Sequence, residues 1–159
     1  MPFIHIHSSK FPIMPGEAEE LVNEGTYGKA LAEYVEENLK KRGYDIPLTC
    51  CEDWGWWVEI KGQPFTLGCC VYGASDAGDK PELCLKISRD AERKWSFLRF
   101  RFVDTRSRVE KLFEDLKDIF SSDPDVRVIG RRRIAPNERA YSAVGISIHL
   151  PWSGCSRSV

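Results

Sequence analysis

Two segments whose apolar residues recur at helical spacing bracket a run of segments in which apolar and polar residues alternate. That order leaves few folds open. From Thr26 the set Tyr27, Ala30, Leu31, Tyr34, Val35 and Leu39 recurs every three or four residues. Thr26 stands where a helix cap is expected, and Lys40, Lys41, Arg42 and Gly43 form a C-terminal stop signal. In the middle of the chain the period drops to two. Trp54–Lys61 and Phe65–Tyr72, joined at Lys61-Gly62-Gln63-Pro64, read as a hairpin, with Leu83, Leu85 and Ile87 on a third strand. Trp95 to Val103 reads as a fourth, with Leu98, Phe100 and Phe102 inward and Arg99 and Arg101 outward. A second helix opens at Asp104 or Thr105 and carries the stripe Val109, Leu112, Phe113, Leu116, Ile119 and Phe120. Ile4 and Ile6 alternate with His5 and His7 on a first strand, and Val126, Val128 and Ile129 allow a last one. The predicted class is α+β: an antiparallel sheet of about five strands with two main amphipathic helices packed on one face.

At 159 residues the chain suits one domain that buries about two-thirds of its unfolded surface without staples. Residues 1–130 are expected to form it. Residues 131–159 make a basic extension that starts at Arg131-Arg132-Arg133. Its Ile146-Ser147-Ile148 suits a sheet edge, and Ser153 to Val159 is small and polar enough to fray. No apolar run reaches the ~18 residues of a membrane span, and the first residues lack a secretory pattern, so the cytoplasm is the expected compartment. The six cysteines include the pairs Cys50-Cys51 and Cys69-Cys70, whose adjacency does not suit zinc. They read as reduced core thiols, one of each pair facing inward, and no motif calls for a metal or another cofactor. The formal charge of −1 divides unevenly. Residues 1–88 hold 8 basic and 14 acidic side chains, whereas residues 89–159 hold 15 and 10. Mutual attraction between the halves of the folded chain is the simpler reading.

The densest local feature is Cys51-Glu52-Asp53-Trp54-Gly55-Trp56-Trp57. As one extended strand it places Trp54, Trp56, Val58 and Ile60 on an apolar face and Asp53, Trp57 and Glu59 on the other. An indole beside carboxylates can hold a cationic or sugar-like group, so Asp53, Trp57 and Glu59 are the candidate binding residues. Against this stands an ordinary polar strand end followed by a tryptophan packed on its neighbours.

Other constellations carry less. His5 and His7 would stand about 7 Å apart on one strand face, but His149 is the only other histidine and nothing ties it to them. Gly25-Thr26-Tyr27-Gly28-Lys29 places glycines and a lysine at a helix start, where free N–H groups attract anions. Asn23 and Ala30 occupy two positions that the phosphate-loop motif requires as glycine and as serine or threonine, so nucleotide hydrolysis is excluded. Pro2, with Met1 removed, would open a strand as in the tautomerase superfamily, which Phe3-Ile4-His5-Ile6-His7 resembles. The late helix and the absent repeat of the opening unit depart from that pattern. Arg99, Arg101, Arg106, Arg108 and Arg131–Arg133 suggest a basic surface, yet the pI near 6.3 and the acids of the second helix disfavour nucleic acid.

Three motifs taken together resemble an uncharacterised family of small bacterial proteins. They are Phe11-Pro12-x-x-Pro15-Gly16-Glu17, Asn23-x-Gly25-x-Tyr27-Gly28-Lys29-Ala30-Leu31-Ala32 and Glu52-Asp53-Trp54-Gly55-Trp56. The similarity spans roughly residues 11–125. It implies a stand-alone bacterial α+β domain and carries over no catalytic residue. The favoured expectation is a non-catalytic domain that binds a protein partner or a second copy of itself. A small enzyme using Pro2 with His5 or His7 is the rival.

Overall fold

The computed structural model describes residues 4–62, 66–74, 82–88, 93–96, 101–104 and 106–130. Six strands form one antiparallel sheet: β1 (Ile4–His7), β2 (Leu48–Glu52), β3 (Gly55–Ile60), β4 (Leu67–Ala74), β5 (Glu82–Ser88) and, after two further strands, β8 (Arg127–Gly130). Their spatial order is β2-β3-β4-β5-β1-β8. The two further strands, β6 (Arg93–Ser96) and β7 (Arg101–Asp104), pair only with each other in a separate two-stranded sheet. The helices are a single turn α1 (Glu17–Glu20), α2 (Lys29–Lys41) and α3 (Arg106–Ser121). The α+β class therefore holds, with six strands in the main sheet.

The core lies between the sheet and the two long helices. Ile4, Ile6, Trp56, Val58, Ile60, Leu67, Cys69, Val71, Leu83, Leu85 and Ile87 line it from the sheet side. Leu31, Val35 and Leu39 enter from α2, and Val109, Leu112, Leu116, Ile119 and Phe120 from α3. These are the alternating and the i, i+4 positions of the sequence, because one-sided burial writes its period directly into the chain. Helix α2 stops as expected. Gly43 takes φ 84°, its N–H bonds to the Lys40 carbonyl, and the Tyr44 N–H reaches back to Leu39 at 3.1 Å, a Schellman closure. Two tyrosines fasten α2 and the turn after it to α3 and its exit. The Tyr34 hydroxyl donates to Asp123 at 2.9 Å and the Tyr44 hydroxyl to Asp115 at 2.5 Å.

Several expectations need correction. The strand read from Cys51 through Ile60 is two strands. Asp53 and Trp54 form a two-residue turn, and β2 folds back on β3 with Glu52 opposite Gly55. The strand read over Trp95–Val103 is likewise two, β6 and β7, and residues 97–100 between them lie outside the described residues. His5 and His7 do not share a solvent-facing surface. His7 is exposed, whereas His5 is 7% exposed. Strand β1 is flanked on both sides, and His5 sits opposite Cys84, which is fully buried with Tyr72 packed against it. The face away from the helices is therefore part-covered. Pro2, Phe65, Arg99, His149, Cys155, Arg131–Arg133 and the whole 131–159 extension lie outside the described residues. Among the described residues no helix is long and apolar enough to cross a membrane.

Candidate functional site

The second sheet face is read directly from the strand register. Cys50, Trp57, Cys70 and Lys86 form one row across β2, β3, β4 and β5. Leu48, Glu59, Gly68 and Ser88 form the row on one side of it. Glu52 and Gly55 lie in the row on the other side, with Tyr72 in line with them. Paired residues point to the same face, so Trp57, Glu59 and Glu52 share this surface.

Two glycines shape it. A Cβ on Gly68 would lie 1.9 Å from the Trp57 ring, so the indole rests directly on the bare backbone of the neighbouring strand. Gly55 has φ 147°, and a Cβ there would stand 2.3 Å from the Val71 carbonyl oxygen. Only glycine fits the close approach of β3 to β4 after the turn. The turn also sends Trp54 to the Trp57 side. Its ring meets Trp57 edge-on, with centroids 6.3 Å apart and planes at 89°, and lies 5.4 Å from Tyr72. Trp54 was expected in the core beside Trp56. Only Trp56 is there, 3% exposed, with the Lys29 ammonium 5.6 Å from its ring centroid.

The result is a half-exposed platform of Trp54, Trp57 and Tyr72, held by aromatic contacts and by Gly68. Of the three expected binding residues, Trp57 and Glu59 share the platform face, both half-buried. Asp53 does not continue their strand. It is exposed at the tip of the β2–β3 turn, and its backbone carbonyl accepts a 2.5 Å hydrogen bond from Asn23. Sequence reasoning missed Trp54, Tyr72 and Glu52 as members of this surface. The signal was Asp53-Trp54-Gly55, an acid and a glycine around a position where a tight hairpin turn can form.

The second cluster lies at the start of α2. The sequence marks it as a helix start whose free N–H groups attract anions, and the anion found there is the protein's own Glu17. Glu17 is 1% exposed, and its Oε1 accepts the Gly28 and Lys29 N–H groups at 2.7 Å each, while Oε2 accepts the Met14 N–H at 2.9 Å. The helix N-terminus is thereby filled and its dipole compensated. Thr26 does not cap the helix. Its hydroxyl donates to the Asn23 carbonyl at 2.7 Å instead. A Cβ on Gly28 would stand 3.1 Å from Val71 and 3.6 Å from Trp56, so the glycine lets the helix start lie close to β3 and β4, and Asn23 holds the Asp53 turn. The three motifs of the sequence thus meet at one place, as a structural knot behind the platform.

Three of the described thiols, Cys51, Cys69 and Cys70, are poor nucleophiles. Burial pushes the Cys69 thiol far above its ordinary value and that of Cys70 up to about 11, and desolvation also raises Cys51. Among the described residues none of the five cysteines is in a disulfide. Among the same residues no group of three His, Cys, Asp or Glu side chains is placed to hold a metal. An open cleft of about 530 Å³ runs between α2 and the turn after α3. Its lysines are neutralised locally, Lys10 by Asp123 and Lys41 by Glu37. Of the arginines expected to form a basic surface, only Arg106 and Arg108, both on α3, have described side chains.

Comparison of the chain with protein-family models, with curated proteins and with solved structures found no match.

Proposed function

We propose that this is a non-catalytic binding domain of a bacterial cytoplasmic protein, and that its working surface is the platform on β2, β3 and β4. One observation carries the reading. Three aromatic side chains stand together, half-exposed, on the sheet face opposite the helices, and backbone glycines fix their positions. Rigid aromatics with few rotatable bonds lose little entropy on contact and dominate binding energy at protein interfaces. Cys69 and Cys70 on β4 are buried thiols with raised pKa values, which disfavours covalent chemistry at these two positions. The family resemblance is consistent with a stand-alone domain of this kind.

The reading is tested by partner capture from a bacterial lysate with wild type, Trp57→Ala and Glu59→Lys, each matched for thermal stability. A protein retained by wild type and lost by both variants supports it. Equal retention by all three, or retention of nothing, overturns it. Glu59→Lys covers the case in which Trp57→Ala is too unstable to compare, because Glu59 is half-exposed and leaves the indole in place.

A further inference from the structure

Glu52, Asp53 and Glu59 border the platform, and among the described residues none of the three makes an ion pair. On the helical side most carboxylates are paired, although Glu19, Glu33 and Glu110 also make no ion pair among the described residues. There Glu20, Glu36, Glu37, Glu114, Asp115, Asp118 and Asp123 each have a lysine or arginine within salt-bridge distance. Lys86 shares the platform face but stands on β5, two strands from Glu59. Among the described residues, the carboxylates of the aromatic surface therefore have no ion-pair partner.

From this we infer that the partner presents an extended basic peptide segment to the platform, with arginine or lysine side chains against Trp54, Trp57 and Tyr72 and beside Glu52 and Glu59. The inference rests on the binding-domain reading and adds the chemistry of the partner. A neutral or acidic surface docked here would take Glu52 and Glu59 out of water with no counter-charge, which opposes association. Nucleic acid would be repelled. A second copy docked by the same face about a two-fold axis would place carboxylates against carboxylates. A cation satisfies both components of the surface, since it is attracted to the indole face and to the acid beside it. Spacing adds detail. Glu52 lies opposite Gly55, four residues along β3 from Glu59, so the two carboxylate positions are about 14 Å apart, with Trp57 midway along the strand. Basic residues at i and i+4 of an extended peptide match that separation.

The test titrates the full-length protein with the peptide Ac-Arg-Thr-Leu-Thr-Arg-NH2, following tryptophan fluorescence and amide NMR shifts. The same peptide with citrulline in place of arginine, and spermidine, are run in parallel. The expected result is saturable binding of the arginine peptide that shifts the signals of β3 and β4 and weakens as salt rises. Glu52→Gln and Glu59→Gln should each weaken it by about two- to fivefold, the range of a partly exposed charge pair. Equal binding of the citrulline peptide, tighter binding of spermidine, or no binding of the arginine peptide overturns the inference. If the inference fails while lysate capture still depends on Trp57 and Glu59, the binding-domain reading survives with a partner of other chemistry. If capture fails as well, both fall.

Discussion

Replacing Glu17 with alanine should cost more stability than any other surface-to-core polar change in this molecule. The carboxylate accepts three backbone N–H groups, from Met14, Gly28 and Lys29, at 2.7–2.9 Å, and is 1% exposed. Alanine removes all three acceptors at once. Loss of a helix cap costs about 0.5–2 kcal/mol, and each buried N–H left without a partner about 1–3 kcal/mol. Gly28 is buried, while Met14 and Lys29 are half-buried, so water can reach the latter two. The sum worked this way is about 3–5 kcal/mol for Glu17→Ala. Glu17→Gln keeps one carbonyl oxygen, which can still serve two of the N–H groups, and replaces the second acceptor by a donor. Its cost should be nearer 1–2 kcal/mol. Against a total of about 5–15 kcal/mol for a domain, the alanine variant would be marginal. Urea denaturation reads the difference as a lower midpoint at unchanged slope, and thermal melting as a fall of about 10 °C. A loss below about 1 kcal/mol for Glu17→Ala would show that the start of α2 does not depend on this carboxylate. Equal losses for alanine and glutamine would show that charge rather than hydrogen-bond geometry carries the effect.

Gly68→Ala tests whether the platform is as rigid as its packing implies. The new methyl would meet the Trp57 ring, and Gly68 has no positive φ, so the backbone itself would accept alanine. Overpacking should outweigh the gain in chain entropy and cost about 1–2 kcal/mol, with a red shift of tryptophan fluorescence as the indole lifts. A stabilised variant with unshifted fluorescence contradicts the packing. For pH, the bonds from Lys111 and Tyr44 to Asp115, and from Lys10 and Tyr34 to Asp123, hold both carboxyls below the ordinary value of 3.8. Depressed folded values mean that their contribution is present above 3.8 and is lost as pH falls through the lower, folded values. The stability gap between wild type and Asp115→Asn/Asp123→Asn should be full near about pH 6 and close toward about pH 2. A gap that stays constant over that range contradicts the assignment.

What the chain reveals locally and what it does not can be seen by comparing particular elements. Helices α2 and α3 and the inward positions of β3, β4 and β5 were legible, because each buries one side against a single layer and burial then repeats every 3.6 or two residues. The stop at Gly43 was legible too, since a left-handed C-terminal residue leaves a strong composition signal. The platform was half legible. Trp57 and Glu59 follow from alternation within one strand. Tyr72 joins them through the pairing of β4 with β3, and Trp54 and Glu52 only because the chain reverses at Asp53-Trp54, where an alternating pattern runs on through a two-residue turn without visible interruption.

Contacts between residues far apart in the chain decided the rest. Glu17 caps a helix that starts twelve residues later, a bond no local rule connects to it. β1 lies between β5 and β8, and His5 on it is buried, a placement that depends on strands far apart in the chain. The sequence by itself determined which residues prefer a helix, a strand or the core, since those preferences act between near neighbours. Strand order, the cap and the membership of the aromatic face depend on distant segments meeting, so only the tertiary structure decided them.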